Sequence, residues 1–152
     1  MMTRTDLRPG EPVLVSACLL GLYCRYDGRC ESDARVMALA QRHILVPVCA
    51  EQLGGLPTPR DPVELRQGRA LSRNGVDLTE AFRRGAAQVE TIVRLTGVRV
   101  AVLQPRSPSC GIGVVYDGSF SGTLMAGHGI LAESLEKMGL ILLAPDDLEL
   151  HR

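Results

Sequence analysis

Three of the five cysteines stand at or just past the end of a strand-like apolar run, a placement that suits metal chemistry. Cys18 closes Val13-Leu14-Val15-Ser16-Ala17-Cys18, and Cys49 closes Ile44-Leu45-Val46-Pro47-Val48-Cys49. Cys110 lies shortly after Val98-Arg99-Val100-Ala101-Val102-Leu103, inside Ser107-Pro108-Ser109-Cys110-Gly111. If these runs lie side by side in a parallel sheet, the thiols meet at its carboxyl edge, where such sheets bind ligands. Zinc sites take paired ligands at short spacing, such as Cys-x-x-Cys, and the chain has no such pair. Ligands this far apart in sequence require the fold itself to assemble the site. Three converging thiolates suit a [4Fe–4S] cluster with one iron left without a protein ligand. That iron is a Lewis acid able to take sulfur or oxygen.

The competing reading is packing, because free cysteine behaves as a small, buried hydrophobe. For one strand-end cysteine packing is the better account. Three coincidences shift the balance, since the flanking residues are polar, glycine-rich and unsuited to a closed core. In Ser107-Pro108-Ser109-Cys110-Gly111-Ile112-Gly113 the glycines allow successive amides to form a nest of N–H donors for cluster sulfides or another anion. Cys24 and Cys30 stand at loose Cys-x5-Cys spacings and are read first as non-ligand thiols, with a redox pair or auxiliary ligands as alternatives.

The elements that must position these residues alternate in type. Val13–Ala17 reads as a buried strand, followed by a loop over Leu19–Glu31. Ser32 or Asp33 caps a helix over Ala34–Gln41. Ile44–Val48 is a strand whose proline suits an edge or a bulge, and Glu51–Asp61 reads as a loop set by Gly54, Gly55, Pro57 and Pro59. Val63–Arg66 and Ala70–Leu78 suggest an exposed hairpin around Gln67-Gly68. A long helix starts at Thr79-Glu80, with a stripe of Ala81, Phe82, Ala86, Val89, Ile92, Val93 and Leu95, and Gly97 stops it. Arg99–Leu103 is a strand, Gly113–Gly127 a glycine-punctuated excursion, Ile130–Met138 a helix and Leu140–Ala144 a last strand. This alternation predicts an α/β fold, a single three-layer Rossmann-like domain with a mostly parallel sheet and a hairpin or loop insertion. The roughly thirty residues between Cys49 and the long helix exceed an ordinary connection and suit a lid or pocket wall.

A chain of 152 residues suits one domain over 1–152, with residues 1–11 as a flexible leader. Hydrophobic residues make up 45% and aromatics only 3%, so the core must be aliphatic. Formal net charge is zero, with 17 basic against 17 acidic residues, which argues against a dedicated polyanion binder. No apolar run approaches a membrane span. Met1-Met2-Thr3-Arg4-Thr5-Asp6 lacks the apolar core of a secretory signal, so a cytoplasmic protein is expected. In that compartment cysteines are reduced, metal-bound or catalytic rather than disulfide-paired.

Six blocks carry a resemblance to a known family. They are Val15-Ser16-Ala17-Cys18-Leu19-Leu20-Gly21, Cys24-Arg25-Tyr26-Asp27-Gly28, Pro47-Val48-Cys49, Leu53-Gly54-Gly55-Leu56-Pro57-Thr58-Pro59-Arg60, Arg106-Ser107-Pro108-Ser109-Cys110-Gly111 and Tyr116-Asp117-Gly118-Ser119-Phe120-Ser121-Gly122. They span nearly the whole chain, which resembles the small iron–sulfur thiouracil desulfidases of the TudS type. The resemblance implies that Cys18, Cys49 and Cys110 bind a [4Fe–4S] cluster and that Glu51 and Ser107 assist catalysis. The implied reaction is hydrolytic, on the C=S bond of 2-thiouracil or a related thiolated pyrimidine. Glu51 would activate water, Ser107 would relay a proton or hold the tetrahedral intermediate, and the sulfur would leave on the open iron. The chain departs from the family pattern at Ala50, where a proline is usual, and at Gln104-Pro105, where a basic residue often stands. Neither departure touches a proposed ligand; both bear on substrate preference.

Each role has a plainer counterpart. Glu51, two residues past Cys49, is otherwise a solvated loop carboxylate, and Ser107 a turn-capping hydroxyl. Tyr26 suits stacking on a pyrimidine and Asp27 suits the pocket, yet Asp27-Gly28 is also an ordinary turn. Arg60 either lies over the substrate or stiffens its loop, and Ser109 is a further candidate contact. His128 is expected to face solvent at a helix start, and His43 to end a helix favourably. Two rivals to a desulfidase are an iron–sulfur electron-transfer or sensor protein and a non-catalytic binder of thiolated RNA. A carrier has four protein ligands, so three cysteines favour an enzyme. Arg60, Arg66, Arg69, Arg73, Arg83 and Arg84 offer a basic face but no aromatic platform, so nucleic acid is not expected as a partner.

Overall fold

The computed structural model describes residues 7–148. In chain order the elements are β1 (Val13–Ser16), α1 (Ala34–Met37), β2 (Leu45–Val48), α2 (Ala50–Leu53), β3 (Val63–Arg66), β4 (Arg69–Ser72) and α3 (Thr79–Thr96). They continue with β5 (Val100–Val102), β6 (Val114–Tyr116), β7 (Leu124–Ala126), α4 (Ile130–Lys137) and β8 (Ile141–Leu143). The central sheet has four parallel strands in the order β2-β1-β5-β8. Two antiparallel hairpins, β3-β4 and β6-β7, stand apart from it.

Period-two alternation sorts the strand side chains onto the two faces of this sheet. Val13, Val15, Val100 and Val102 pack with Val36 and Leu39 on one face. Leu14 and Ala101 pack with Ala86, Val89 and Val93 of α3 and with Leu131 and Leu135 of α4 on the other. Helix, sheet and helices therefore form the three layers expected of a Rossmann-like domain. Each fully buried Val or Leu contributes about 1.5–3 kcal/mol. A third cluster joins Val63, Leu65 and Ala70 of the first hairpin to Phe82 of α3 and Val115 of β6. This satellite core fixes both hairpins over one end of the sheet.

Several local expectations change. β1 ends at Ser16, and Ala17–Leu20 forms a 3-10 turn, so Cys18 sits in that turn rather than on the strand. The first helix, capped by Asp33, is α-helical only over Ala34–Met37 and tightens to a 3-10 turn over Ala38–Gln41. The segment after Cys49 opens with the short helix α2 instead of a loop. The first hairpin is not simply exposed, since Val63, Leu65, Ala70 and Ser72 are buried. Leu95 leaves the apolar stripe of α3 and is 81% exposed, because the buried row runs Phe82, Ala86, Val89, Val93. Of the expected leader, residues 1–6 lie outside the described residues; Leu7 is buried, and Glu11 accepts a hydrogen bond from the Arg99 guanidinium at 2.8 Å.

Two glycines set the depth at which α2 lies against α3. A Cβ on Gly54 would stand 2.0 Å from the Ala81 carbonyl oxygen, and one on Gly85 would stand 1.8 Å from that of Ala50. Without side chains at these positions the two backbones touch, and α2 is seated directly on α3. Among the described residues no helix is long and apolar enough to cross a membrane.

Candidate functional site

A cavity of about 460 Å³ opens at the carboxyl edge of the parallel sheet. Its floor comes from the ends of three strands: Ser16 and Cys18 after β1, Val48 and Cys49 after β2, and Gln104 to Cys110 after β5. Its walls come from Cys24 to Tyr26, Glu51 on α2, Arg60, Glu64 and Arg73 of the first hairpin, and Tyr116 and Phe120 of the second. The long connection after Cys49 thus does form part of a pocket wall.

The three cysteines singled out from the sequence all line this cavity, and a fourth, Cys24, joins them. Cys18, Cys24 and Cys110 are buried and Cys49 is half-buried. The Cys18 thiol donates to Gln104 Oε1 at 3.7 Å, and the Cys49 thiol donates to the Cys24 carbonyl at 3.7 Å. Cys24 interacts electrostatically with both Cys18 and Cys49. Its pKa is pushed up to about 11, first by the Cys18 thiol and, after an opposing contact with Cys49, by burial. Cys49 is raised above the ordinary thiol range, first by Cys24 and then by burial. Cys110 is pushed up to about 12 by burial, with the Ser16 hydroxyl opposing and the charges of Glu51 and Cys49 adding to it. These thiols hold their protons at neutral pH, so a metal that binds them must displace protons.

Glu51 is placed by α2 and braced by Arg60. Arg60 Nε donates to Glu51 Oε1 at 3.0 Å, with side chains only 6% and 15% exposed. The rest of the guanidinium is also engaged: Nη1 donates to the Pro57 carbonyl and Thr58 Oγ1, and Nη2 to the Cys24 carbonyl at 2.9 Å. The Arg60 backbone N–H donates to the Tyr26 carbonyl at 2.7 Å. Arg60 therefore ties the Glu51 carboxylate to the loop that carries Cys24 and Tyr26.

Ser107 occupies the turn-capping role and lines the cavity at once. Its Oγ accepts the backbone N–H of Ser109 at 3.1 Å and of Cys110 at 3.0 Å. A hydroxyl has two acceptor lone pairs and one donor, so only the O–H remains for a ligand. Ser109 is 2% exposed, and its Oγ is buried without a hydrogen-bond partner. It would donate to an ionised Cys110 sulfur, which opposes the rise of that thiol's pKa, yet it makes no bond of normal geometry as it stands. A buried orphan hydroxyl is costly unless a ligand completes it.

Other expectations resolve differently. Asp27 does not line the cavity; its Oδ1 accepts the Arg29 N–H at 3.0 Å within the 25–29 turn. Tyr26 does line it, 40% exposed, with the Arg25 guanidinium 5.6 Å from the ring centroid. Cys30 lies outside the cavity with its thiol 3.6 Å from Ser32 Oγ. The amide nest around Cys110 does not form, because Ser109 and Cys110 donate to Ser107 Oγ, Gly111 to the Ser107 carbonyl and Gly113 to His128 Nδ1. His128 stands part-exposed just before α4, as expected of a helix start, but it is not free: its Nε2 meets Glu136 Oε2 at 2.8 Å, so it bridges a loop to α4. Sequence reasoning missed Ser16, Glu64 and Phe120 as cavity residues. Only Phe120 had a signal, an aromatic in a glycine-flanked loop of a chain with two Phe, three Tyr and no Trp.

The donor set is soft: four thiols, with no imidazole among the lining residues. Among the described residues no three His, Cys, Asp or Glu side chains are gathered tightly enough to hold a single metal ion. Soft donors, an orphan hydroxyl and an open volume form a lining whose chemistry fits an iron–sulfur group.

Comparison with known proteins agrees with this picture. The family model of 2-thiouracil desulfurase matches residues 13–147. The Bacillus subtilis (strain 168) protein YbbK, itself uncharacterised, is 33% identical over 146 residues, covering 90% of this chain and 97% of its own. A solved structure described as the [4Fe-4S]-dependent thiouracil desulfidase TudS superposes with a TM-score of 0.82 at 38% identity, covering 90% of this chain and 91% of that one.

Proposed function

Since the chain belongs to the 2-thiouracil desulfurase family, we propose that it removes sulfur hydrolytically from 2-thiouracil or a related thiolated pyrimidine. The observation that carries this reading is the meeting of Cys18, Cys49, Cys110, Glu51 and Ser107 in one cavity. In the overall reaction a thiocarbonyl and water give a carbonyl and hydrogen sulfide, with no net electron transfer. Cys18, Cys49 and Cys110 would hold the [4Fe–4S] cluster. When bound, that group supplies a Lewis acid and a sulfur acceptor.

The chain's own residues supply the remainder. Glu51, with Oε1 held by Arg60, keeps Oε2 available to take a proton from the attacking water. Ser107, both lone pairs engaged, can only donate, so it holds charge developing on the tetrahedral centre and does not act as a base. Ser109 offers a second donor from a buried position. Arg60 acts on Glu51 and on the pocket loop rather than on substrate. Tyr26 borders the substrate, and Asp27 shapes the turn behind it.

The test is anaerobic purification with iron and sulfide assay, followed by incubation with 2-thiouracil in the absence of reductant. Equal amounts of uracil and hydrosulfide are expected. A strict need for a reductant, or no release from protein that carries its cluster, would overturn the proposal. One observation favours a second reading: with Cys24 the cavity offers four thiols, enough for a carrier or sensor. Iron content of Cys24→Ser decides between the two, because a four-cysteine carrier would lose cluster and an enzyme with an open iron would keep it.

A further inference from the structure

The chain has only five Phe, Tyr and Trp residues, and three of them, Tyr26, Tyr116 and Phe120, line the cavity that holds the cysteines. Phe120 is the most deliberately held. It adopts φ +56°, a left-handed conformation that a bulky side chain rarely takes. Such outliers persist only where the surroundings over-determine them, and they collect at ligand clamps. Here the surroundings are explicit. Glu64 Oε1, on β3, accepts the backbone N–H of both Gly118 and Phe120 at 3.1 Å each.

The rest of the loop is closed just as tightly. The Ser119 N–H donates to Asp117 Oδ1 at 2.9 Å, and the Asp117 N–H donates to the Thr123 carbonyl at 3.0 Å. Gly118 lies so close to β3 that a Cβ there would stand 2.7 Å from the Arg66 Cβ. The Arg73 guanidinium sits 5.5 Å from the Phe120 ring centroid, a cation over the ring face. Packing in the satellite core does not require any of this, since Val115 and not Phe120 fills that cluster.

We propose that Phe120 is the stacking face for the heterocycle, that Glu64 is the residue positioning it, and that together they select planar ring thiocarbonyls over acyclic ones. The inference rests on the desulfidase reading and names the residues that set its substrate class. An aromatic face recognises a flat π-system without reading hydrogen bonds, so it tolerates ring substituents but gains little from a small acyclic thiourea.

The experiment compares 2-thiouracil with thiourea, which carries the same thiocarbonyl between two nitrogens but no ring. In cluster-loaded protein, Phe120→Leu is expected to raise KM for 2-thiouracil by about tenfold or more, leaving kcat and the thiourea KM within about twofold. Phe120→Tyr should restore the parent KM. Glu64→Gln should shift KM in the same direction by a smaller factor. Equilibrium dialysis of uracil should show the same order of affinities independently of turnover. Equal losses for both substrates, a fall in kcat alone, or unchanged uracil binding in Phe120→Leu would overturn the inference. Loaded parent protein that releases hydrosulfide from neither substrate would instead overturn the functional reading, and the dialysis would still decide the role of Phe120.

Discussion

Arg60 reaches Glu51 and Cys24 with one guanidinium, Nε to the carboxylate at 3.0 Å and Nη2 to the carbonyl at 2.9 Å. Breaking such an enclosed pair strands a charge, at a cost of about 3–5 kcal/mol when burial is complete. Lysine keeps the charge and loses the fork. Arg60→Lys is therefore expected to retain iron and to lose about tenfold or more in hydrosulfide release, whereas Arg60→Met also lowers the melting temperature. Full activity in Arg60→Lys would show that a single point charge suffices.

Glu51→Gln keeps an oxygen to accept from Arg60 but cannot take a proton. Hydrosulfide release should fall by about 10²–10⁴, with melting temperature and iron content near those of the parent. Retained turnover would remove Glu51 from the chemistry.

Ser107 supports the Cys110 turn as well as the cavity. Ser107→Ala leaves two amides without their acceptor and should cost about 1–3 kcal/mol in stability as well as turnover. Ser107→Thr keeps the hydroxyl and should recover both. Calorimetry beside the hydrosulfide assay separates the two effects.

Cys18→Ser, Cys49→Ser and Cys110→Ser should each yield protein depleted in iron after anaerobic reconstitution, while Cys24→Ser and Cys30→Ser load normally. Iron-to-protein ratios read this directly.

Asp33 caps α1, accepting from the Arg35 and Val36 amides, and its carboxyl is held below the usual range, chiefly by the Arg35 side chain. A depressed folded pKa gives stability that is present above the unfolded Asp pKa and lost as pH falls through the folded value. Asp33→Asn keeps the cap oxygen but loses the charge. It should be less stable by about 0.3–1 kcal/mol at neutral pH, and the gap should close under acid. Denaturant melts at several pH values measure it; a gap that persists at low pH would refute the charge as its source.

The sheet and the meeting of Cys18, Cys49 and Cys110 were legible because apolar strands and their terminal residues leave a local pattern. Pro47 restricted its strand to an edge or a bulge, and β2 is one of the two edges. Cys24 was not legible, since a loop thiol has no periodicity and its place depends on where Arg60 pulls the 24–26 segment. Glu64 stood unmarked within the hairpin segment; its partner amides lie more than fifty positions away and no spacing reveals them. The supposed amide nest failed because a nearby hydroxyl took the donors first.

β2 is one of the two outermost strands of the sheet, and it carries Cys49 immediately past its last residue. A foreign strand annealing along this margin would tug on that thiol before any other part of the site. The exposed Pro47 denies such a visitor an amide to grip, one position short of Val48. The residue that looks like a flaw in the strand thus insulates the reactive mouth from aggregation at the sheet's open border.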